Sequence, residues 1–197
     1  MRKNLAKLEH SLPGPIAMKR STQSILVVED DPNDRVLLEL AFSRIGIADP
    51  VQVVSSGSEA LAYLRGEGGY CDRTRFPYPT FLITDLKMPG VDGFAILADL
   101  RANPDRAVTP SIVLSASSDP DDIRLAYSLG ANSYLVKPVE LEELFRLLKL
   151  TYDYWRSCDV PYTDPDGRCV ATSSISKLGQ VFRSTQLNHP SGHSPTV

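Results

Sequence analysis

Short apolar runs and helical patterns alternate five times between Ser24 and Trp155, and few architectures accommodate that alternation. The runs are Ile25-Leu26-Val27-Val28, Val51-Gln52-Val53-Val54, residues 80–84, Ser111-Ile112-Val113-Leu114 and Ser133-Tyr134-Leu135-Val136. They are short and apolar at consecutive positions, which suits strands covered on both faces. Between them, apolar residues recur at helical spacing, as in Val36, Leu37, Leu40, Ala41 and Ile45, or Ala60, Leu61 and Leu64. Further helices are predicted from about Asp92 to Asn103, from about Pro120 to Leu129, and from just after Pro138 to about Trp155. Strands alternating with helices imply parallel pairing through right-handed crossovers. The expected fold class is therefore α/β, a (βα)5 doubly wound parallel five-stranded sheet.

A chain of 197 residues, 42% hydrophobic, buries one sizeable core rather than two. Residues 1–22 carry five Lys/Arg against one acid and contain Pro13-Gly14-Pro15, so a basic, flexible leader is expected. Residues 23–158 carry 13 Lys/Arg against 20 Asp/Glu. An acidic body argues against nucleic acid as a partner, because phosphate binding needs a basic face. Residues 159–197 are rich in Ser, Thr, Pro and Gly and are expected to form a flexible tail. His10, His189 and His193 fall in the two tails, too dispersed for a site. Cys71, Cys158 and Cys169 fit neither a disulfide framework nor a zinc spacing. No apolar run approaches the roughly 18 residues of a membrane span, so a soluble cytoplasmic protein is expected. The Arg65 to Pro79 connection is longer than the about two to six residues usual between helix and strand.

Chemistry concentrates where the strands end. Glu29-Asp30 follows the first, Asp85 the third, Ser115-Ala116 the fourth and Lys137-Pro138 the fifth, with Tyr134 three residues before the lysine. In an open parallel sheet those carboxyl ends form the ligand crevice. Asp85 by itself would serve equally well as a turn or cap residue. Three clustered carboxylates repel one another unless a cation joins them. Mg2+ suits an all-oxygen set that leaves room for water and phosphate. Lys137 offers a compact charge to a phosphoryl oxygen, and Ser115 a hydroxyl donor.

Val28-Glu29-Asp30-Asp31, the Thr84 to Gly93 stretch TDLKMPGVDG, Leu114-Ser115-Ala116 and Tyr134-Leu135-Val136-Lys137-Pro138 together resemble the receiver domain of two-component response regulators. The resemblance covers about residues 24–157 and implies a flavodoxin-like sheet of strand order 2-1-3-4-5, with the receiver occupying 23–158. It implies Asp85 as phosphoacceptor. Asp30 and Asp85 would bind Mg2+ directly, Glu29 directly or through water, and the Lys87 backbone carbonyl would complete the set. Ser115 and Lys137 would contact the phosphoryl group, Tyr134 would swing inward as the switch aromatic, and a cis bond would precede Pro138. Lys87 and Ser117 stand where the family tunes dephosphorylation. Glu29 stands in place of the Asp of the family pattern, a departure that many relatives share. The implied donor is phosphohistidine on a sensor histidine kinase. The output would be a conformational change at the fourth helix, fifth strand and fifth helix, or onward phosphotransfer, which makes the protein a switch rather than an enzyme.

Tyr152-Asp153-Tyr154-Trp155 and Gly66-Glu67-Gly68-Gly69-Tyr70 are similar to stand-alone regulators paired with phytochrome-type kinases in bacteria. That implies a bacteriophytochrome as kinase and a homodimer formed through the last helices and strand. On the last helix, Leu141, Leu144, Phe145, Leu148, Tyr152 and Trp155 form a packing face, and Leu147, Leu150 and Tyr154 a second stripe suited to that interface. The rival expectation is a receiver-fold scaffold that is never phosphorylated. A magnesium phosphatase would want an acid where Lys87 stands.

Overall fold

The computed structural model describes residues 24–161 and 163–169; the basic leader, the three histidines and the chain beyond 169 lie outside the described residues. In chain order the elements are β1 (Ile25–Val28), α1 (Pro32–Arg44), β2 (Val51–Val54), α2 (Gly57–Arg65), β3 (Phe81–Thr84), α3 (Gly93–Ala102), β4 (Ser111–Ser115), α4 (Pro120–Ser128), β5 (Ser133–Val136) and α5 (Leu141–Ser157). The strands form one sheet in the order β2-β1-β3-β4-β5, parallel throughout. The alternation in the sequence therefore becomes a five-stranded doubly wound sheet.

Successive strand residues point to opposite faces, and the core divides accordingly. Ile25, Val27, Phe81, Ile83, Ile112 and Leu114 pack with Leu38, Ala41 and Phe42 of α1 and Leu144, Phe145, Leu148 and Tyr152 of α5. Leu26, Val28 and Leu82 pack on the other face with Ala60, Tyr63 and Leu64 of α2 and Ile96 and Leu100 of α3. A third cluster, Leu86, Leu97, Val113, Ala126 and Ala131, seats α4. β1, β3 and β4 are buried along their whole length, whereas β2 and β5, at the edges, are mostly half-buried.

The helices start where short polar side chains can cap them. The carboxylate of Asp31 accepts the Asn33 and Asp34 N–H groups, Ser56 accepts that of Glu59, and Asp92 that of Ala95. The long connection after α2 is held by its own contacts. Gly66 takes the left-handed C-cap conformation at φ 69°. Arg73 Nη atoms donate to the carbonyls of Tyr63 at 2.8 Å and Leu64 at 3.0 Å, satisfying the open end of α2. Tyr63, Tyr70 and Phe76 stack around one another with centroids 5.0–6.2 Å apart.

One expectation changes, and two features add to others. The Lys137–Pro138 bond is trans, as no cis peptide occurs among the described residues; the trans form is the lower-energy isomer by about 0.5–1 kcal/mol, and Lys137 reaches its acidic partners from it. Past residue 158, Thr163 and Cys169 form an antiparallel bridge, and buried Gly167 lies against the Tyr78 ring so closely that a Cβ would fall 2.1 Å from it. That turn is held by Asp164 Oδ1, which accepts the Asp166 and Arg168 N–H groups, a polar closure that leaves no hydrophobic period. On α5, Leu147 packs against the core edge while Leu141, at the first turn, is exposed. Only Leu150 and Tyr154 of the second stripe face solvent, each 58% exposed.

Candidate functional site

The loops after β1, β3 and β5 converge at one edge of the sheet. Parallel pairing in matched register places Val28 beside Thr84, so Glu29 and Asp85 leave neighbouring strands at the same height. Glu29, Asp30 and Asp85 each offer a carboxylate oxygen within 4.8 Å of the others, a group that could hold a metal ion. All three ligands are hard oxygen donors, which fits Mg2+ or Mn2+. Lys137 Nζ completes the cluster, 2.6 Å from Glu29 Oε2, 3.0 Å from Asp85 Oδ2 and 2.8 Å from Asp34 Oδ2. An ammonium has three protons, and here each faces a carboxylate.

The two oxygens of Asp85 are held differently. Oδ1 accepts the Leu86 N–H at 2.6 Å, and Oδ2 accepts from Lys137. The loop that carries Asp85 closes onto α3 through Gly93, whose N–H donates to the Leu86 carbonyl at 3.1 Å. A Cβ at residue 93 would lie 2.2 Å from the Asp85 carbonyl oxygen, so glycine alone permits this approach. On the other side, the Arg35 guanidinium donates to the backbone carbonyls of Asp30 at 2.6 Å and Glu29 at 3.2 Å, fixing the acidic loop to α1.

Electrostatics follow from burial. Glu29 is 1% exposed, and burial pushes its carboxyl from 4.5 up to about 7 despite the opposing pull of Lys137. Burial alone would lower the Lys137 ammonium, but the bonds from Asp34 and Glu29 outweigh it and raise that group above its ordinary range.

Ser115 is buried at the end of β4, and its Oγ accepts the Ser117 N–H at 3.4 Å. Tyr134 is half-buried on β5 against the third cluster, its hydroxyl donating to the Ser117 carbonyl at 2.9 Å. Burial raises the Tyr134 phenol, and hydrogen bonding to Ser117 offsets part of the rise. The Lys87 side chain turns away from Asp85 and pairs with Asp122 of α4 at 2.8 Å. Asp34, Arg35 and Asp122 were not singled out from the sequence. Asp34 and Asp122 sit in first helical turns, where acids are common for helix-dipole reasons, so only their spatial neighbours reveal them.

The description "response regulator receiver domain" matches this chain over residues 25–149. A probable methanogenesis regulatory protein, FilR2 of Methanothrix harundinacea, is 37% identical over 132 residues, 66% of this chain and 82% of that protein. Response regulator Rcp1 of Synechocystis is 32% identical over 131 residues, covering 66% of this chain and 87% of Rcp1. The solved structure of its Mn2+-bound form superposes with a TM-score of 0.64 at 30% identity, over 71% of this chain and 99% of that one. The phosphorylated cyanobacterial phytochrome response regulator RcpA superposes with a TM-score of 0.66 at 34% identity, over 72% of this chain and all of that one. Receiver-domain regulators are signalling proteins, and they bind Mg2+ or Mn2+ in an acidic pocket of the kind formed here by Glu29, Asp30 and Asp85. The match over most of the described residues, the sheet order and the acidic pocket agree, and the chain belongs to the response regulator receiver domain family.

Proposed function

We propose that this protein is a response regulator that accepts a phosphoryl group on Asp85 in a Mg2+-dependent reaction. One arrangement carries the reading: a carboxylate with one oxygen fixed by the Leu86 N–H, set against a lysine and two further acids. In the transfer step a carboxylate oxygen of Asp85 forms the new O–P bond, the P–N bond to a donor phosphohistidine breaks, and the departing imidazole takes up a proton. Lys137 neutralises charge on the phosphoryl oxygens, and the Ser115 hydroxyl donates to one of them. Glu29, Asp30, Asp85 and the Lys87 carbonyl would hold Mg2+, which when bound supplies further positive charge to the transferring group. Tyr134 reads the outcome at the surface of α4, β5 and α5. The protein turns over no external substrate in this scheme.

The donor would be a sensor histidine kinase, and the likeness to Rcp1 and RcpA favours one of the bacteriophytochrome type. The test is intact mass after incubation with acetyl phosphate, with and without Mg2+, for the wild type and Asp85→Asn. A gain of one phosphoryl group that requires both Mg2+ and Asp85 is expected. No gain under conditions that modify a control receiver would overturn the reading and favour the unphosphorylated scaffold.

A homodimer through α5 is part of the same proposal. Leu150 and Tyr154 form an exposed pair one helical turn apart, with Tyr154 braced edge-on by Trp155 at 5.3 Å. Light scattering of Leu150→Ser/Tyr154→Ser should report a monomer where the wild type is a dimer. An unaltered dimer would place the interface elsewhere.

A further inference from the structure

Outside the acidic pocket, one line of polar contacts joins the loop after Asp85 to the aromatic on β5. Lys87 Nζ lies 2.8 Å from Asp122 Oδ2 and 5.7 Å from the centre of the Phe94 ring. The same Asp122 oxygen accepts the Ser117 hydroxyl at 2.6 Å. Ser117 is held from two more sides: its Oγ accepts the Asp119 N–H at 3.3 Å, and its carbonyl accepts the Tyr134 hydroxyl at 2.9 Å. Tyr134 itself packs against the third cluster. Lys87 and the loop before α4 thus meet at one carboxylate, and that loop in turn holds the Tyr134 hydroxyl.

We propose that Asp122 is a positioning residue that ties the loop after Asp85 to the docked position of Tyr134 and so couples what happens at Asp85 to the β5 surface. The proposal rests on the reading that Asp85 accepts a phosphoryl group. All these contacts coexist in the conformer with Tyr134 docked, so removing the link weakens that conformer. Coupling is reciprocal: if occupancy of Asp85 favours docked Tyr134, the link must strengthen ligand binding at Asp85 by the same factor. The expected size is modest. Lys87 is 58% exposed and its ion pair by itself is weak, but Asp122 is only 17% exposed and already oriented by Ser117, which lowers the ordering cost. A first-turn acid also favours its own helix, so a helix-only role must be separated from the link.

The experiment uses the full chain with ring-labelled tyrosine, the Tyr134 signal being assigned by Tyr134→Phe, and beryllofluoride with Mg2+ as the phosphoryl mimic. Asp122→Asn, Asp122→Ala, Lys87→Met and the Asp122→Ala/Lys87→Met double variant are compared. Asp122→Ala and Lys87→Met should each weaken beryllofluoride binding by about threefold and move the Tyr134 ring signal toward its solvent-exposed position. Asp122→Asn, which keeps an acceptor for Ser117, should fall between them and the wild type. The double variant should lose no more than the worse single one, because both changes cut one link. An unmoved Tyr134 signal in the folded Asp122 variants, or losses that multiply in the double variant, would overturn the proposal. Failure of the wild type to take up beryllofluoride would instead sink the phosphoacceptor reading, and the Tyr134 signal of the free protein would still decide the role of Asp122.

Discussion

Lys137→Ala should lower the stability of the metal-free protein at pH 7.5 by about 3 kcal/mol, equivalent to roughly 10 °C in melting temperature for a domain of this size. The substitution removes the one ammonium that faces Glu29, Asp34 and Asp85 together, and leaves two buried carboxylates without their cation. Breaking a buried charge pair from one side costs more than the pair contributes, because the remaining charge keeps its desolvation penalty. The loss should shrink toward pH 5, where Glu29 takes up a proton and no longer needs a partner. Added Mg2+ should restore most of the stability. It should also bind the variant more tightly than the wild type, since Lys137 competes for the same oxygens. Phosphoryl uptake from acetyl phosphate should fall steeply in the same variant if Lys137 neutralises the transferring group as proposed. Thermal melts with and without Mg2+ at the two pH values check the stability terms. A variant as stable as the wild type without metal would mean the carboxylates do not depend on the lysine.

The second large effect is in pH. Glu29 titrates near 7 in the folded protein and near 4.5 when unfolded. Between those values the native state holds a proton that the unfolded chain has lost, so the stability of the metal-free protein falls as pH rises through that window. One proton sets the limit, a slope of about 1.4 kcal/mol per pH unit. Lys137 contributes nothing to this slope: its raised value favours the folded state at every pH below the ordinary lysine value of 10.5, and that contribution is lost only at higher pH. Glu59, held below its usual range although burial opposes the shift, gives stability that is lost only as pH falls below about 4.5. A metal ion on Glu29 needs the ionised carboxylate, so Mg2+ binding there should release the Glu29 proton. Affinity should therefore rise up to about tenfold per pH unit from pH 5.5 to 7 and level off above, where Glu29 is already charged. Glu29→Gln should flatten the metal-free slope, raise stability at pH 8 and weaken Mg2+ binding there. Calorimetric titration of Mg2+ at several pH values, beside melts of both proteins, decides the matter. A pH-independent affinity would show that Glu29 does not take part in holding the ion.

These expectations depend on features of unequal legibility. Glu29, Asp30, Asp85 and Lys137 could be picked from the sequence because each directly follows an apolar run, and strand ends in a parallel sheet share one edge. Ser115 could be placed at the end of the fourth strand and Tyr134 within the fifth by the same pattern, but not the Ser117 carbonyl that holds the Tyr134 hydroxyl. Asp34 and Asp122 looked like ordinary first-turn acids. Their importance depends on which lysine lies across the gap, and Lys137 and Lys87 come from other loops. Leu147 shows a different limit. Helical spacing put it in a stripe with Leu150 and Tyr154, and the fold packs it, half-buried, against the core beside α5, as it does Leu135 and Trp155.

The sequence by itself determined the number of strands and helices, their parallel pairing, and the edge at which acids and lysine gather. Those features follow from periodicity and from chain connectivity, which act over a few residues and one crossover at a time. Only the tertiary structure decided which carboxylate each lysine proton takes, how far burial lifts Glu29, and that Arg73 and Gly167 close on Tyr63, Leu64 and Tyr78 to order segments without any period. Hydrogen bonds and desolvation depend on distances of a few tenths of an ångström between atoms far apart in the chain, and such distances exist only once the helices have packed.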